Sequence, residues 1–392
     1  MCLIVRNNKW VNMDLLNRLL LLGSQMHLEP SEDQFERSNI DQRKGDIFIH
    51  QAAMPNGKHI RLLKTLLTSV CERDCYYCPF RAGRDFRRVT FKPHEFAHLF
   101  LELYKHGVAE GLFISSGIAG SGMKTQDRLL DTIDILRHKL NYRGYVHLKI
   151  MPGAERGQVE RAMHLADRVS INLEAPNPES LTRLAPQKLF TEELLDPLSW
   201  VDEIRHNEMA KNAWHGRWPS TVTQFVTGVA DESDLELLTT TNFLYRNLGL
   251  KRIYYSSFNP IPDTPLENRT PTNPKRELRL YQASFLLRDY GYKLEDIPLE
   301  PDGNLSLLTD PKLAWAHMNL IENPLDINHA SKEQLIRIPG IGPKSADAII
   351  KARRECMFHD ISRLRPLGLL PERLFPFILL DGKKPSVQMT LI

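Results

Sequence analysis

The sequence predicts the α/β class: a partial (βα)6 TIM-like barrel followed by a small all-α C-terminal domain. Three observations carry this. Between about residues 58 and 290, short apolar runs alternate six times with longer amphipathic ones, the pattern of a parallel sheet with helical crossovers. Two successive strand candidates have one apolar and one polar face, whereas a parallel strand covered by helices on both sides is apolar on both. Beyond residue 324 the apolar period is helical, and Gly and Pro mark short turns.

Residues 1–54 form an N-terminal extension with helical stretches and no readable chemistry. The barrel is expected over 55–290. Its strands fall at Arg61–Val70, Gly111–Ser115, Tyr145–Met151, Arg168–Leu173, Thr221–Thr227 and Arg252–Ser257. Helices are expected at Pro93–His106, Thr125–Leu140, Glu155–Ala166, Thr191–His206 and Ser233–Leu248, with Pro274–Tyr290 after the last strand. In the third strand Val146, Leu148 and Ile150 share one face, opposite His147, Lys149 and Met151. In the fourth, Val169, Ile171 and Leu173 lie opposite Ser170, Asn172 and Glu174. A solvated edge strand explains one such strand; two in succession fit a polar lumen better. Residues 291–323 read as a connector with a short helix at Pro311–Ile321, and residues 324–385 as the C-terminal domain.

Composition narrows the class. The 392 residues are 42% hydrophobic and 25% charged, with 21 Gly and 25 Pro, which excludes disordered, collagenous and low-complexity chains. No run approaches the roughly 18 apolar residues of a membrane span; the leucine cluster Leu19–Leu22 ends at Gly23. The start lacks the basic, apolar and small-residue order of a signal peptide, so a cytoplasmic location is expected. The net charge is +3. Residues 324–392 hold eleven basic against seven acidic residues, +4, which leaves −1 for everything before them. A basic segment of that kind points to a polyanion partner.

Of five cysteines, three sit within eight residues: Cys71, Cys75 and Cys78, spaced C-x3-C-x2-C. An odd count so clustered is a ligand set rather than a disulfide framework. The triplet follows the first strand at its C-terminal end, where barrels and open α/β sheets place their sites. Three thiolates hold three irons of a cubane and leave the fourth open to a small molecule. Tyr77, just before the last cysteine, is placed to shield such a cluster from water. A structural zinc site requires a fourth ligand from elsewhere, and a Cys75/Cys78 redox pair leaves Cys71 without a role. Cys2 and Cys356 read as ordinary thiols.

The triplet, after the first of six strand–helix repeats, resembles the signature of the radical SAM superfamily. That resemblance implies a 4Fe–4S cluster whose open iron chelates S-adenosylmethionine (SAM). One electron then cleaves the sulfonium to methionine and a 5′-deoxyadenosyl radical that abstracts hydrogen; the protein supplies placement and exclusion of water. It also implies SAM contacts at the strand ends. Ser115, Ser116 and Gly117 sit where a small-residue turn meets the amino group, Gly117 allowing close backbone approach. Asn172 and Glu174 sit where polar side chains meet the ribose. Gln224 opens Gln224–Gly228, similar to the adenine-side motif, and Ser257, Phe258 and Pro260 are placed to pack on the adenine. Lys149, the candidate catalytic residue, either pairs with the SAM carboxylate or a substrate phosphate, or is a satisfied lumen charge.

In the C-terminal domain an apolar-faced helix leads to Pro339-Gly340-Ile341-Gly342-Pro343-Lys344-Ser345 and a second helix up to Arg354. Gly340 and Gly342 allow a tight turn whose N–H groups, with the helix dipole and Lys344, form an anion site. This resembles the helix-hairpin-helix family, which binds DNA phosphates without reading bases. On that resemblance Pro339, Gly340, Ile341, Gly342, Lys344 and Ser345 are the nucleic-acid-binding set. A degraded second copy follows, with one glycine at Gly368. A protein-docking helical bundle is the alternative.

The two modules in this order resemble the DNA modification or repair radical SAM proteins with a C-terminal helix-hairpin-helix, over roughly residues 55–380. Gly111–Gly117, Val146–Lys149, Lys251–Ser256, Asp310–Trp315 and the hairpin carry that match. The resemblance implies reductive SAM cleavage to modify or repair DNA, a uracil-DNA-glycosylase-like partner, and an electron donor such as flavodoxin or ferredoxin. An RNA-modifying radical enzyme and a non-enzymatic iron–sulfur DNA-binding redox sensor are the alternatives.

Overall fold

The computed structural model describes residues 13–23, 49–54, 57–385. They divide into two compact units, one of the described residues up to 232 with 244–272, the other of residues 233–243 with 273–385. No helix among the described residues is long and apolar enough to cross a membrane.

The first unit is built on one curled seven-stranded sheet, a half-barrel, in the sequential order β1 to β7. The strands are β1 (Ile49–Ala53), β2 (His59–Leu66), β3 (Gly111–Ser115), β4 (Tyr145–Lys149), β5 (Arg168–Ser170), β6 (Ser220–Thr227) and β7 (Arg252–Ser257). From β2 onward all neighbours pair in parallel. β1 pairs antiparallel with β2, Ile49 opposite Leu63 and Ala53 opposite His59. That strand lies inside the stretch expected to be helical, so the sheet gains a seventh strand at its edge. Its sequence, Ile-His-Gln-Ala-Ala, has no clean alternation to mark it.

Parallel register puts paired residues on one face. Leu63, Leu112, Ile114, Val146, Leu148, Val169, Phe225 and Ile253 form the apolar face, each at most 1% exposed. The helices that follow β2, β3 and β4 bury Phe96, Phe100, Leu129, Ile133, Val159 and Met163, the apolar stripes expected of crossover helices. Burying a side chain of this size stabilises by about 1.5–3 kcal/mol, so this layer holds the half-barrel together. The opposite face carries Lys64, Phe113, His147, Lys149 and Ser170, joined across strands. Lys64 Nζ lies 5.7 Å from the Phe113 ring centre, Phe113 meets His147 edge-on at 4.7 Å, and His147 Nε2 lies 2.9 Å from Ser170 Oγ. The polar lumen read from the alternation is present.

Three strands are shorter than the apolar runs suggested: β4 ends at Lys149, β2 at Leu66 and β5 at Ser170. Beyond Leu66 the chain runs beside Val89–Phe91 while Leu67 and Thr68 stay bonded to the end of β3; the Ser69 N–H donates to the Val89 carbonyl and the Phe91 N–H to the Leu67 carbonyl, both at 2.9 Å. After Ser170 the chain still follows β6, but the Leu173 N–H donates to the Thr223 hydroxyl instead of a carbonyl. The helix expected at Thr125–Leu140 is α-helical over Gly122–Asp134 and π-helical over Ile135–Lys139. The wider turn holds Arg137, whose buried guanidinium donates to the carbonyls of Leu165, Tyr142 and Gly144 and to Asp167.

The second unit contains the helices Pro274–Asp289, Pro311–Asn319, Lys332–Leu335, Pro343–Glu355 and Pro371–Leu374. Leu335, Ile338, Ile341, Ile349, Leu364, Leu374 and Ile378 lie in its core at 0% exposure. Apart from a two-residue parallel pair, Leu325–Asp326 with Ile378–Leu379, it is helical, as expected.

Candidate active site

The cysteine loop leaves β2 and is stapled on both sides. The Glu72 N–H donates to the Ile118 carbonyl (2.8 Å), that of Tyr76 to Leu184 (2.7 Å) and that of Ala82 to Arg73 (2.8 Å). Arg73 donates to the Gln187 carbonyl and pairs with Glu193, both partners largely buried. Two backbone N–H groups point at sulfur: Ile118 at Cys71 Sγ (3.5 Å) and Phe80 at Cys78 Sγ (3.4 Å). Cys75 is 7% exposed. Burial pushes the Cys75 thiol up, with Glu174, Cys71 and Asp74 adding to the rise against the lowering pull of Lys188. The Cys78 thiol is likewise raised, by burial first and by Cys75 next. Thiols so placed are poor nucleophiles in their free form.

The Ser115-Ser116-Gly117 turn packs directly on this loop. The Leu67 N–H donates to the Ser115 carbonyl and the Gly117 N–H to the Thr68 carbonyl, at 2.9 and 2.7 Å. A Cβ at position 117 would stand 2.3 Å from the Val70 carbonyl oxygen. Only glycine fits there, and the cysteine loop itself is what crowds it.

Across the strand ends runs a polar chain. Lys149 Nζ donates to Asn172 Oδ1 at 2.5 Å, and Asn172 Nδ2 to Gln224 Oε1 at 3.4 Å. Glu174 follows. Its φ is +66°, a left-handed conformation that costs a non-glycine residue about 1–3 kcal/mol and persists only where neighbours enforce it. Here β6 enforces it: the Glu174 N–H donates to the Gln224 carbonyl (2.9 Å), and the Val226 N–H to the Glu174 carbonyl (2.8 Å). The bend turns the carboxylate toward the cysteine loop. Oε1 accepts from Lys188 Nζ at 3.0 Å, between side chains 7% and 8% exposed. Oε2 is buried and accepts no hydrogen bond among the described residues, a deficit worth about 1–3 kcal/mol.

Lys188 also lies 3.4 Å from the Tyr77 hydroxyl and 5.9 Å from its ring centre. Burial alone would lower its pKa, but Cys75 and Glu174 lift it above the ordinary lysine value. Sequence reasoning missed Lys188; it stands in an irregular Ala-Pro-Gln-Lys segment with no periodicity to single it out. Tyr77, expected as a shield, is half-buried beside this pair.

The remaining barrel residues are placed less centrally. The buried Phe258 donates its N–H to the Thr227 carbonyl (3.0 Å), and Ser257 pairs with Thr227 in register. They stand at the β6–β7 ends, beside the strand that carries Gln224. Gly228 has φ +95°, and a Cβ there would meet the Thr272 hydroxyl at 2.1 Å.

In the second unit Gly340 is exposed with φ +86°, a conformation that favours glycine. Gly342 caps the helix Pro343–Glu355, whose Ala346 N–H returns to the Gly342 carbonyl at 2.9 Å. Lys344 is exposed and Ser345 half-buried. Pro339 and Ile341 are buried, Ile341 completely, so they anchor the turn from below. Lys312 supports it too, donating to the Ile341 carbonyl at 2.5 Å while lying 4.7 Å from the Tyr290 ring centre.

Comparison with known proteins agrees with this layout. The family model for the radical SAM superfamily matches residues 65–244, and that for the helix-hairpin-helix motif matches residues 322–372. No curated protein matches the chain. Among solved structures, the FeFe-hydrogenase maturase HydG from Carboxydothermus hydrogenoformans aligns at 15% identity and a TM-score of 0.45, over 58% of this chain and 51% of its own. Methylornithine synthase (PylB) aligns at 14% and 0.44, over 58% and 62%. A radical SAM methyltransferase from Sphaerobacter thermophilus aligns at 15% and 0.43, over 60% and 69%. The chain thus spans about half the length of the maturase. Residues 65–244 thus match the radical SAM superfamily, whose enzymes use a 4Fe–4S cluster and S-adenosylmethionine, and residues 322–372 match the helix-hairpin-helix motif.

Proposed function

We propose that this chain is a radical SAM enzyme that reductively cleaves SAM to modify or repair a nucleic acid, with DNA as the first candidate. One observation carries the reading of the barrel: three cysteines on a stapled loop face a buried carboxylate with one oxygen left unsatisfied. Both features fit the cofactors. The N–H groups aimed at Cys71 and Cys78 are the donors that sulfur-ligated clusters receive. The unsatisfied Glu174 oxygen suits the hydroxyl donors of a ribose.

Cys71, Cys75 and Cys78 would each hold one iron. The chemistry supplied there is one-electron cleavage of the sulfonium carbon–sulfur bond and hydrogen abstraction from the substrate. Glu174, fixed by β6 and by Lys188, accepts from the ribose, and Asn172 offers its amide alongside. The Ser115–Gly117 turn presents backbone carbonyls to the amino group. Gln224, Ser257 and Phe258 line the adenine side. Tyr77 and the buried walls keep water away from the cysteines. Lys149, held by Asn172, offers its ammonium to a carboxylate or phosphate at the lumen mouth. The exposed Lys344 and the glycine turn support backbone binding of nucleic acid, so a nucleotide flipped from its stack can enter the lumen. The electron comes from a small donor of the flavodoxin or ferredoxin kind.

Anaerobic reconstitution should give about four irons and four sulfides per chain, and dithionite with SAM should release 5′-deoxyadenosine. Cys75→Ala should abolish both. Release that survived Cys75→Ala would overturn the assignment, and failure to bind SAM by calorimetry would favour a redox sensor. Competition between duplex DNA, single strands and tRNA identifies the nucleic acid.

A further inference from the structure

The fourteen residues that follow the third cysteine are strongly basic. From Pro79 to Lys92 there are five basic residues, Arg81, Arg84, Arg87, Arg88 and Lys92, against one acid, Asp85.

Arg81, Arg84 and Arg88 are fixed by hydrogen bonds, and among the described residues none of the arginines is neutralised by an ion pair. Arg88 donates to four carbonyls, those of Ser69, Phe80, Arg81 and Arg84. Arg84 donates to the Pro79 and Pro262 carbonyls, each at 3.0 Å, and Arg81 to the Asp74 carbonyl within the cysteine loop. Every acceptor is a neutral backbone oxygen. Among the described residues no carboxylate forms an ion pair with any of the five. Arg88 and Arg84 lie 4.4 and 5.5 Å from the ring centre of Phe86, which meets Phe80 at 6.1 Å. Arg87 and Lys92 are exposed. The segment is a rigid cationic ridge with interleaved aromatics, fastened to the loop that carries Cys71, Cys75 and Cys78.

We infer that residues 79–92 are a second nucleic-acid contact, a rail that holds the phosphate backbone of the substrate strand beside the cysteine loop. This rests on the nucleic-acid reading above and adds to it a surface on the barrel itself. Charge complementarity favours a polyanion, and Arg interleaved with Phe is the composition that tracks a single strand. An extended strand or a flipped-out nucleotide with its flanking phosphates fits better than an intact helix. The hairpin then supplies non-specific anchorage, and the rail sets which stretch of strand is presented to the lumen.

The test uses the full-length, cluster-loaded protein under anaerobic conditions, with a fluorescently labelled 20-nucleotide single strand and its duplex titrated at several salt concentrations. Arg87→Glu with Lys92→Glu changes two exposed side chains that make no side-chain hydrogen bond, and unchanged iron content and circular dichroism confirm the fold. Binding of the single strand should weaken by about tenfold or more, and the salt slope should fall by about 1.5, near 0.7 for each lost phosphate contact. A bromouracil-substituted strand should cross-link within residues 79–92 in the parent protein. Unchanged affinity and slope in this variant, while Lys344→Glu weakens binding, would overturn the rail and leave the nucleic-acid reading standing. Absence of binding by the parent protein would overturn both. If the variant bound strand normally but lost reduction by flavodoxin, the ridge would be a docking face for an acidic electron donor, and the rail would be wrong.

Discussion

Two lysines, one in each unit, are taken out of water and treated in opposite ways. Lys188 sits between Glu174 and Tyr77 beside the cysteines, and the neighbouring thiol and carboxylate hold its pKa above the ordinary value despite its burial. Lys312 lies under the hairpin with a neutral partner, the Ile341 carbonyl, and burial drives its pKa down to about 7, Asp310 offsetting only part. A permanent charge is kept where charged groups meet in the barrel. Beneath the hairpin a lysine serves as a prop, and the anion is left to the turn's own N–H groups and to Lys344. The pair shows that charge in this chain follows what each unit must hold.

That contrast can be broken by substitution. The largest effect is expected at Lys188→Met, which strands the Glu174 carboxylate in a buried site. Loss of one partner of a buried pair costs about 3–5 kcal/mol, measurable as a lower urea midpoint, and Lys188→Arg should recover part of it. Glu174→Gln keeps an acceptor for Lys188 but removes the charge, so it should lower the urea midpoint by less than Lys188→Met does and weaken SAM binding by roughly 10- to 100-fold, the equivalent of about 1.5–3 kcal/mol for a charged hydrogen bond; calorimetry with SAM checks this. If Lys188→Met lowered SAM affinity without lowering stability, the pair would act on the ligand alone.

Lys312 gives a smaller effect with a definite sign. Its folded pKa, about 7, lies below the unfolded value near 10.4. The folded state therefore penalises the protonated form. The penalty is absent above about pH 10, grows as pH falls toward 7 and is constant below that. Thermal unfolding of the parent protein should show this added slope between pH 10 and 7, and Lys312→Met should remove it. Smallest is Lys344→Gln, which should reduce the salt slope of duplex binding by about 1 and weaken all sequences alike.

Much of the barrel was legible because its strands are short apolar runs bounded by turns. β3 and β7 fall on their expected limits, and β6 starts one residue early. Most helix limits are offset by at most three residues; the exceptions are the turn widened at Arg137 and the helix expected at Thr191–His206, which is π-helical over Phe190–Leu195 and α-helical only over Asp196–Asn207. β1 was not legible: five residues with His50 and Gln51 in the middle carry no period, and only pairing with β2 makes them a strand. The cysteines announced themselves by spacing, and the alternation in β4 and β5 placed Lys149 and Asn172 on one face, where they meet. Lys188 and the arginine ridge stayed hidden for a different reason. The partners of Lys188 come from distant segments, and the ridge is diluted by the chain's overall charge until its hydrogen bonds show that no carboxylate neutralises it.

The staples around the cysteine loop have one more consequence. Arg73 with Glu193, Arg88 with its four carbonyls and the Gly117 contact with Val70 shape the ligand cradle from protein groups alone. Unlike a zinc finger, whose folding is purchased with metal, this domain should stay intact when a chelator strips its iron. Oxygen damage would then be a repairable event, with fresh iron and sulfide refilling a receptacle that never collapsed.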